Sequence, residues 1–113
     1  MAEISKEVVD KIYEAIEVAK ATGRIKKGSN EVTKAIEKGM AKLVVIAKNV
    51  NPPEITMHIP LLSKEKDVLC VEVPSKEELG AAAGISVGTA SIAIIEEGEA
   101  KNTIKEIIQK LKE

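Results

Sequence analysis

A chain of 113 residues, 44% hydrophobic and 31% charged, has apolar material for one packed core under a well-solvated surface, and residues 1–113 read as one domain. A formal net charge of −1 excludes indiscriminate attraction to nucleic acid, so any such binding must come from a local patch. Tyr13 is the one aromatic and Cys70 the one cysteine, which excludes modules that stack bases on several aromatics, a disulfide framework and a cysteine-built zinc site. No apolar run approaches the ~20 residues of a membrane span. The start, MAEISKEVVDKIYE, is charged from residue 3 and has no apolar leader stretch, so the expected location is the cytoplasm.

In chain order, SKEVVDKIYEAIEVAKATG reads as an amphipathic helix. Val8, Ile12, Ala15, Ile16 and Ala19 form one stripe, with Ser5 placed to cap the start and Gly23 to stop it. RIKKG is short and extended. SNEVTKAIEKG is a second helix, capped by Ser29 and ended by Gly39. In AKLVVIA, Leu43, Val44, Val45 and Ile46 form the continuous apolar run of a strand covered on both faces. In NPPEITMHIPLLSKEKD, Pro52 and Pro53 suit a helix start and Glu54 its first turn, while Pro60 is expected to kink or end it. VLCVEV is a second buried strand, with Glu72 expected at an end or an edge. SKEELGAAAG is a short helix with Ser75 and Glu78 as a capping box and Gly84 as its stop. ISVGT is a loop and ASIAIIE a third strong strand. In the closing helix, EAKNTIKEIIQKLKE, Ala100, Ile104, Ile107, Ile108 and Leu111 share a face. This alternation predicts an α/β fold, a sheet sandwiched between helix layers.

The second helix carries the feature most suggestive of function. At about 100° per residue, Val32, Ala35 and Ile36 face the core, while Asn30, Glu31, Lys34 and Lys38 share the opposite arc. Lys26 and Lys27 lie just upstream. A helix N-terminus attracts anions such as phosphate through its N–H groups. Lysine and amide groups can read guanine O6 and N7, and a carboxylate can accept from guanine N–H donors. The competing reading is a solvated helix face with i,i+4 charge spacing. A carboxylate repels phosphates, so Glu31 inside a basic patch points to RNA only if it reads a donor edge.

The stretch from KKGSNEVTKA through AKLVVIA, PPEITMHIPLL and VPSKEELGAAAG to ASIAII resembles the kink-turn RNA-binding family over about residues 5–112. That family comprises the archaeal large-subunit ribosomal protein that doubles as a core subunit of box C/D and H/ACA guide-RNA particles, and its eukaryotic small-ribonucleoprotein relatives. The resemblance implies a three-layer α/β/α sandwich around a mixed, roughly four-stranded sheet. It implies binding to a kink-turn, an RNA helix bent at a three-nucleotide bulge beside tandem sheared G·A pairs. The RNA partners would be ribosomal, box C/D or H/ACA guide RNA, or ribonuclease P RNA, alongside other ribonucleoprotein subunits, with a monomer in the absence of RNA.

Carried over by position, Gly28, Ser29, Asn30, Glu31 and Lys34 match the signature that contacts the G·A pairs and adjacent phosphates. Lys27, Lys38 and Lys76 match basic positions near the RNA backbone, with Lys26 beside them, and Ile55 matches an apolar residue near the bulge. Ile85, Ser86, Val87, Gly88, Thr89 and Ala90 match the loop that packs on a flipped-out base. Some positions depart from the family. Ser29 replaces threonine or alanine and should still cap its helix. Gly88 replaces proline or alanine, which predicts a looser loop. Lys48, Asn49 and Asn51 stand in place of carboxylates, with Asn51 counted among the RNA-facing positions.

Other constellations are weak. Gly80, Gly84 and Gly88 do not make a dinucleotide fingerprint. His58, one turn from Glu54, lacks an accompanying nucleophile and reads as structural. Cys70 reads as an inert core thiol. The sequence therefore predicts a non-enzymatic RNA-binding protein without cofactor or metal. The alternative is the same fold as a protein-interaction domain that lacks specific RNA binding.

Overall fold

Ser5 opens the first helix, accepting from the Val8 N–H at 3.3 Å, and α1 runs from Lys6–Thr22 to Gly23. A computed structural model describes residues 5–50 and 56–112. After α1 come β1 (Arg24–Lys27), α2 (Ser29–Glu37), β2 (Leu43–Ala47), α3 (His58–Glu65), β3 (Cys70–Val73), α4 (Lys76–Ala82), β4 (Ser91–Glu96), a 3₁₀ turn and α5 (Lys101–Lys112). The expected alternation of helix and strand is therefore present throughout.

The four strands lie in the order β1-β4-β2-β3. β2 pairs with β3 in parallel, and both β1 and β2 run antiparallel to β4, so the sheet is mixed. Every residue of β2 is buried, as its unbroken apolar run requires. Successive side chains point to opposite faces. Leu43, Val45 and Ala47 pack with α1, α4 and α5, while Val44 and Ile46 pack with α2 and α3. Those two clusters make the three-layer α/β/α sandwich. With phenylalanine and tryptophan absent, fully covered Ile12, Ile16, Ile92 and Ile104 fill the larger layer, each burial contributing about 1.5–3 kcal/mol.

Three local readings need correction. Ser29 is the first helical residue of α2, and Gly28 holds the cap position without a side-chain cap hydrogen bond. Gly28 has φ 90° and ψ 149°, a conformation reserved almost to glycine, so the turn into α2 falls there and not on the serine. Pro60 neither kinks nor ends α3. That helix starts at His58, so Pro60 lies in its first turn, where a missing N–H breaks no intrahelical bond. β3 is an edge strand that is buried only alternately: Val71 and Val73 are covered, while Cys70 and Glu72 are partly exposed. The edge position fits Glu72. The helix start expected at Pro52, Pro53 and Glu54 lies outside the described residues.

The helix ends follow their glycines. At α2 the Gly39 N–H reaches the Ile36 carbonyl and the Met40 N–H the Ala35 carbonyl. At α4 the Gly84 N–H reaches Ala81 and the Ile85 N–H reaches Gly80. Both are Schellman closures with a left-handed glycine.

Tyr13, on α1, is partly buried near α4, and its hydroxyl has no hydrogen-bond partner among the described residues although Glu78 lies near. Burial, then the Glu78 carboxylate, push its pKa up to about 12. Between the ordinary value of 10.0 and about 12 the unfolded chain loses this proton while the folded chain keeps it, so stability falls as pH rises through that window. Because Tyr13 is the only aromatic residue, phenolate absorbance reads it alone. A spectrophotometric titration should show a midpoint near 12; a midpoint near 10 would mean an accessible hydroxyl.

Candidate nucleic-acid interface

β1, β2 and β3 point the same way and β4 points back. Their C-terminal ends and the start of β4 therefore meet at one end of the sheet. α2 and α4 begin just beyond β1 and β3, so both helices present their N-termini there.

A chain of hydrogen bonds joins these pieces around Ser91, the first residue of β4. The Gly28 N–H donates to the Ser91 carbonyl at 3.1 Å, extending the β1 ladder to the edge of α2. The Ser91 hydroxyl donates to Ser29 Oγ at 3.5 Å, and Thr89 Oγ1 donates to the Ser91 carbonyl at 3.2 Å. The Thr89 N–H donates to the Lys76 carbonyl at 3.1 Å, and the Lys76 N–H to Asn49 Oδ1 at 2.8 Å. The Ala47 N–H donates to the Ala90 carbonyl at 2.9 Å. The α2 entrance, the end of β2, the start of α4 and the 85–90 loop are thus one hydrogen-bonded unit.

α2 divides as its helical wheel predicts. Val32, Ala35 and Ile36 are buried, and Asn30, Glu31, Lys34 and Lys38 are exposed. The Lys34 ammonium lies 4.0 Å from Glu31 Oε1, a pair too solvated to stabilise much. It does hold a cation against the carboxylate at the helix entrance. Among the described residues no side chain caps α2, so its first-turn N–H groups are open to a ligand there.

Thr33 sits on the flank of α2. Its hydroxyl proton goes to the Ser29 carbonyl at 2.6 Å, so His58 Nε2, at 2.8 Å, must be the donor to Thr33. His58 therefore ties α3 to α2, and the structural reading stands. Cys70 is mostly buried in β3, and burial pushes its thiol up to about 11, which keeps it protonated and unreactive.

The 85–90 loop splits between core and solvent. Ile85 and Ala90 pack against the larger cluster, and Thr89 is buried in the hydrogen-bonded unit. Ser86, Val87 and Gly88 are exposed, Val87 at 70%. The loop lies close on α4 because Gly80 has no side chain: a Cβ there would fall 2.2 Å from the Val87 carbonyl oxygen. Gly88 also lies close on α4, where a Cβ would come within 3.0 Å of Lys76 Cγ.

The structure thus brings Gly28, Ser29, Asn30, Glu31, Lys34, Lys76, Gly88, Thr89 and Ala90 to one end of the sheet, while Ile85 follows the other end of α4, its N–H on the Gly80 carbonyl. Lys27 ends β1 at that edge. Lys26 and Lys38 instead line a groove that runs from the α2 entrance back along β1. Asn51 and Ile55 lie outside the described residues. Sequence reasoning missed the role of Asn49, whose side-chain amide also donates to Glu77 Oε1 at 3.1 Å and so locks the end of β2 to the start of α4. The available signal was a polar residue two positions after a buried strand.

Two comparisons bear on this arrangement. Residues 10–104 match the sequence profile of the ribosomal protein L7Ae/L30e/S12e/Gadd45 family. Among solved structures, the Giardia lamblia 15.5kD RNA binding protein superposes with a TM-score of 0.93 at 31% identity, over 99% of this chain and 93% of that one. The match spans every element from within α1 into α5, including the whole of the hydrogen-bonded unit, and the chain belongs to the ribosomal protein L7Ae/L30e/S12e/Gadd45 family.

Proposed function

We propose that this non-enzymatic protein binds kink-turn RNA through the end of the sheet where α2 and α4 begin. The observation that carries the reading is the exposed Glu31 carboxylate at the entrance of α2, 4.0 Å from the Lys34 ammonium and in one groove with Lys26 and Lys38. A surface that served only phosphates would gain nothing from a carboxylate there. Set against the N–H edge of guanine in a sheared G·A pair, the same carboxylate accepts hydrogen bonds that Watson–Crick pairing does not already occupy.

In this reading Asn30 and Lys34 flank Glu31 on the paired bases and their phosphates. The N–H groups of the α2 entrance face a backbone phosphate. Lys76, held by Asn49 and Thr89, adds a cation from the α4 side, and exposed Val87 offers an apolar surface to an unstacked bulge base. The family, and the similarity to the Giardia lamblia 15.5kD RNA binding protein, support RNA as the ligand. The bend and the G·A pairs rest on the resemblance of Gly28, Ser29, Asn30, Glu31 and Lys34 to the kink-turn signature, with which the acceptor chemistry of Glu31 agrees. The RNAs concerned would be ribosomal, guide or ribonuclease P RNA, bound by a cytoplasmic monomer that then meets other particle subunits.

Binding of this kind selects the bent RNA. Moving an RNA from mostly open to almost wholly bent takes about 10⁴-fold tighter binding to the bent state. A kink-turn RNA carrying a fluorophore on each stem should move to high energy transfer as protein is added, without added magnesium. Binding that leaves the transfer unchanged would contradict the proposal.

A further inference from the structure

Lys76 and Glu77 are the first two residues of α4, so a cation proposed to meet an RNA phosphate has a carboxylate beside it in the chain. Among the described residues, nevertheless, no carboxylate lies within 4.0 Å of the Lys76 ammonium. Asn49, two residues past β2, accounts for the separation. Its Oδ1 accepts the Lys76 N–H at 2.8 Å, and its Nδ2 donates to Glu77 Oε1 at 3.1 Å. A backbone N–H can only donate, which fixes the orientation of the amide and leaves Nδ2 to face the carboxylate. Both α4 side chains also pass close to Gly88: a Cβ there would stand 3.0 Å from Lys76 Cγ and 3.3 Å from Glu77 Oε2. An unrestrained Glu77 carboxylate would therefore lie where it screens Lys76 from a phosphate.

Capping α4 does not explain the choice of an amide. Ser75 already accepts the Glu78 N–H at 3.2 Å, and for the Lys76 N–H a carboxylate at position 49 would suit the positive end of a helix better. A carboxylate would also repel Glu77. What asparagine adds is a donor, and its exposed hydrogen bond to Glu77 contributes little to folding. We propose that Asn49 is a positioning residue for RNA binding: by holding the Glu77 carboxylate it keeps the Lys76 ammonium free for a backbone phosphate. This role rests on the kink-turn reading and needs no contact between Asn49 and RNA.

The test measures the affinity of the full chain for a short kink-turn RNA across a salt series. Asn49→Ala should weaken binding by a few fold and flatten the log–log salt dependence by about one unit, as Lys76→Ala does. Asn49 carries no charge, so its removal changes that slope only by withdrawing a cation from a phosphate. Glu77→Ala added to Asn49→Ala should restore the slope, and Asn49→Ala added to Lys76→Ala should change it no further. Melting of the free variants checks that they fold. If the alanine variant melts early, Asn49→Asp keeps the acceptor for the Lys76 N–H and loses only the donor; it should weaken binding, and Glu77→Gln should rescue it by reversing the hydrogen bond. An unchanged slope for Asn49→Ala while Lys76→Ala flattens it, or a loss that neither change at Glu77 relieves, would overturn the role of Asn49 alone. A Lys76→Ala slope equal to the parent's, with intact G·A pairs still preferred, would also overturn it by removing the phosphate contact. A parent protein indifferent to the G·A pairs would overturn the kink-turn reading and this role together.

Discussion

Replacing Glu31 with glutamine should weaken binding to an intact kink-turn RNA by about 1–3 kcal/mol, the value of one good bidentate base contact. Glutamine keeps the size of the side chain but exchanges one acceptor oxygen for a donor, which then faces the guanine N–H edge. The exchange also removes a negative charge from a basic patch, and on electrostatics alone it should improve phosphate binding. The two accounts therefore predict opposite signs. Asn30→Ala should produce a loss of similar size, and Lys38→Ala a smaller one that shrinks further as salt is raised. Asn30 and Glu31 are exposed, so melting of the free protein should hardly move. If both variants retain full affinity, the base-reading role of α2 is wrong.

Replacing Ile36 with alanine should cost about 2–5 kcal/mol of folding stability. Ile36 is fully covered beneath α2, in a cluster with Val32, Val44, Ile46, Ile59, Ala93 and Ile95. That layer is the smaller of the two and rests on two short helices, so it has little material with which to close a cavity. A loss of this size is a large part of the 5–15 kcal/mol typical of a domain. Urea unfolding should show a lower midpoint with an unchanged slope. Added RNA should restore part of the lost melting temperature by mass action, because it binds only the folded state. A midpoint within experimental scatter of the parent would mean that α2 is not seated on the sheet as described.

The elements most legible in the sequence were those whose periodicity and burial agree. α1, β2, β4 and α5 have long apolar patterns, and each appears where that pattern puts it. The two faces of α2 were equally clear, because nine residues at helical spacing separate Val32, Ala35 and Ile36 from the polar arc. What failed was local. Ser29 is a good cap by composition, but the left-handed Gly28 makes the turn one residue earlier. Pro60 was read against a helix thought to begin near Pro52, and its meaning changed once the helix began at His58. β3 contains enough valine to look fully buried; Glu72 pointed to an end or an edge, and sheet order decides for the edge.

The candidate site was half legible. Residues contiguous in sequence, from Lys26 to Lys38, could be read as a patch from spacing alone. Asn49, Thr89 and Ser91 could not, because their partners lie far off in the chain: Asn49 bonds Lys76 and Glu77, and Ser91 meets Gly28 and Ser29. Such long-range hydrogen bonds leave no periodic signal.

The most direct measurement is a titration of the protein against two matched RNAs at ~0.15 M salt, one with an intact kink-turn and one with its sheared G·A pairs replaced by Watson–Crick pairs. The account predicts tight binding to the first and weak, strongly salt-dependent binding to the second, with Glu31→Gln removing most of the difference. Equal affinities that fall together as salt is raised would show an unselective basic patch and contradict the assignment of Glu31.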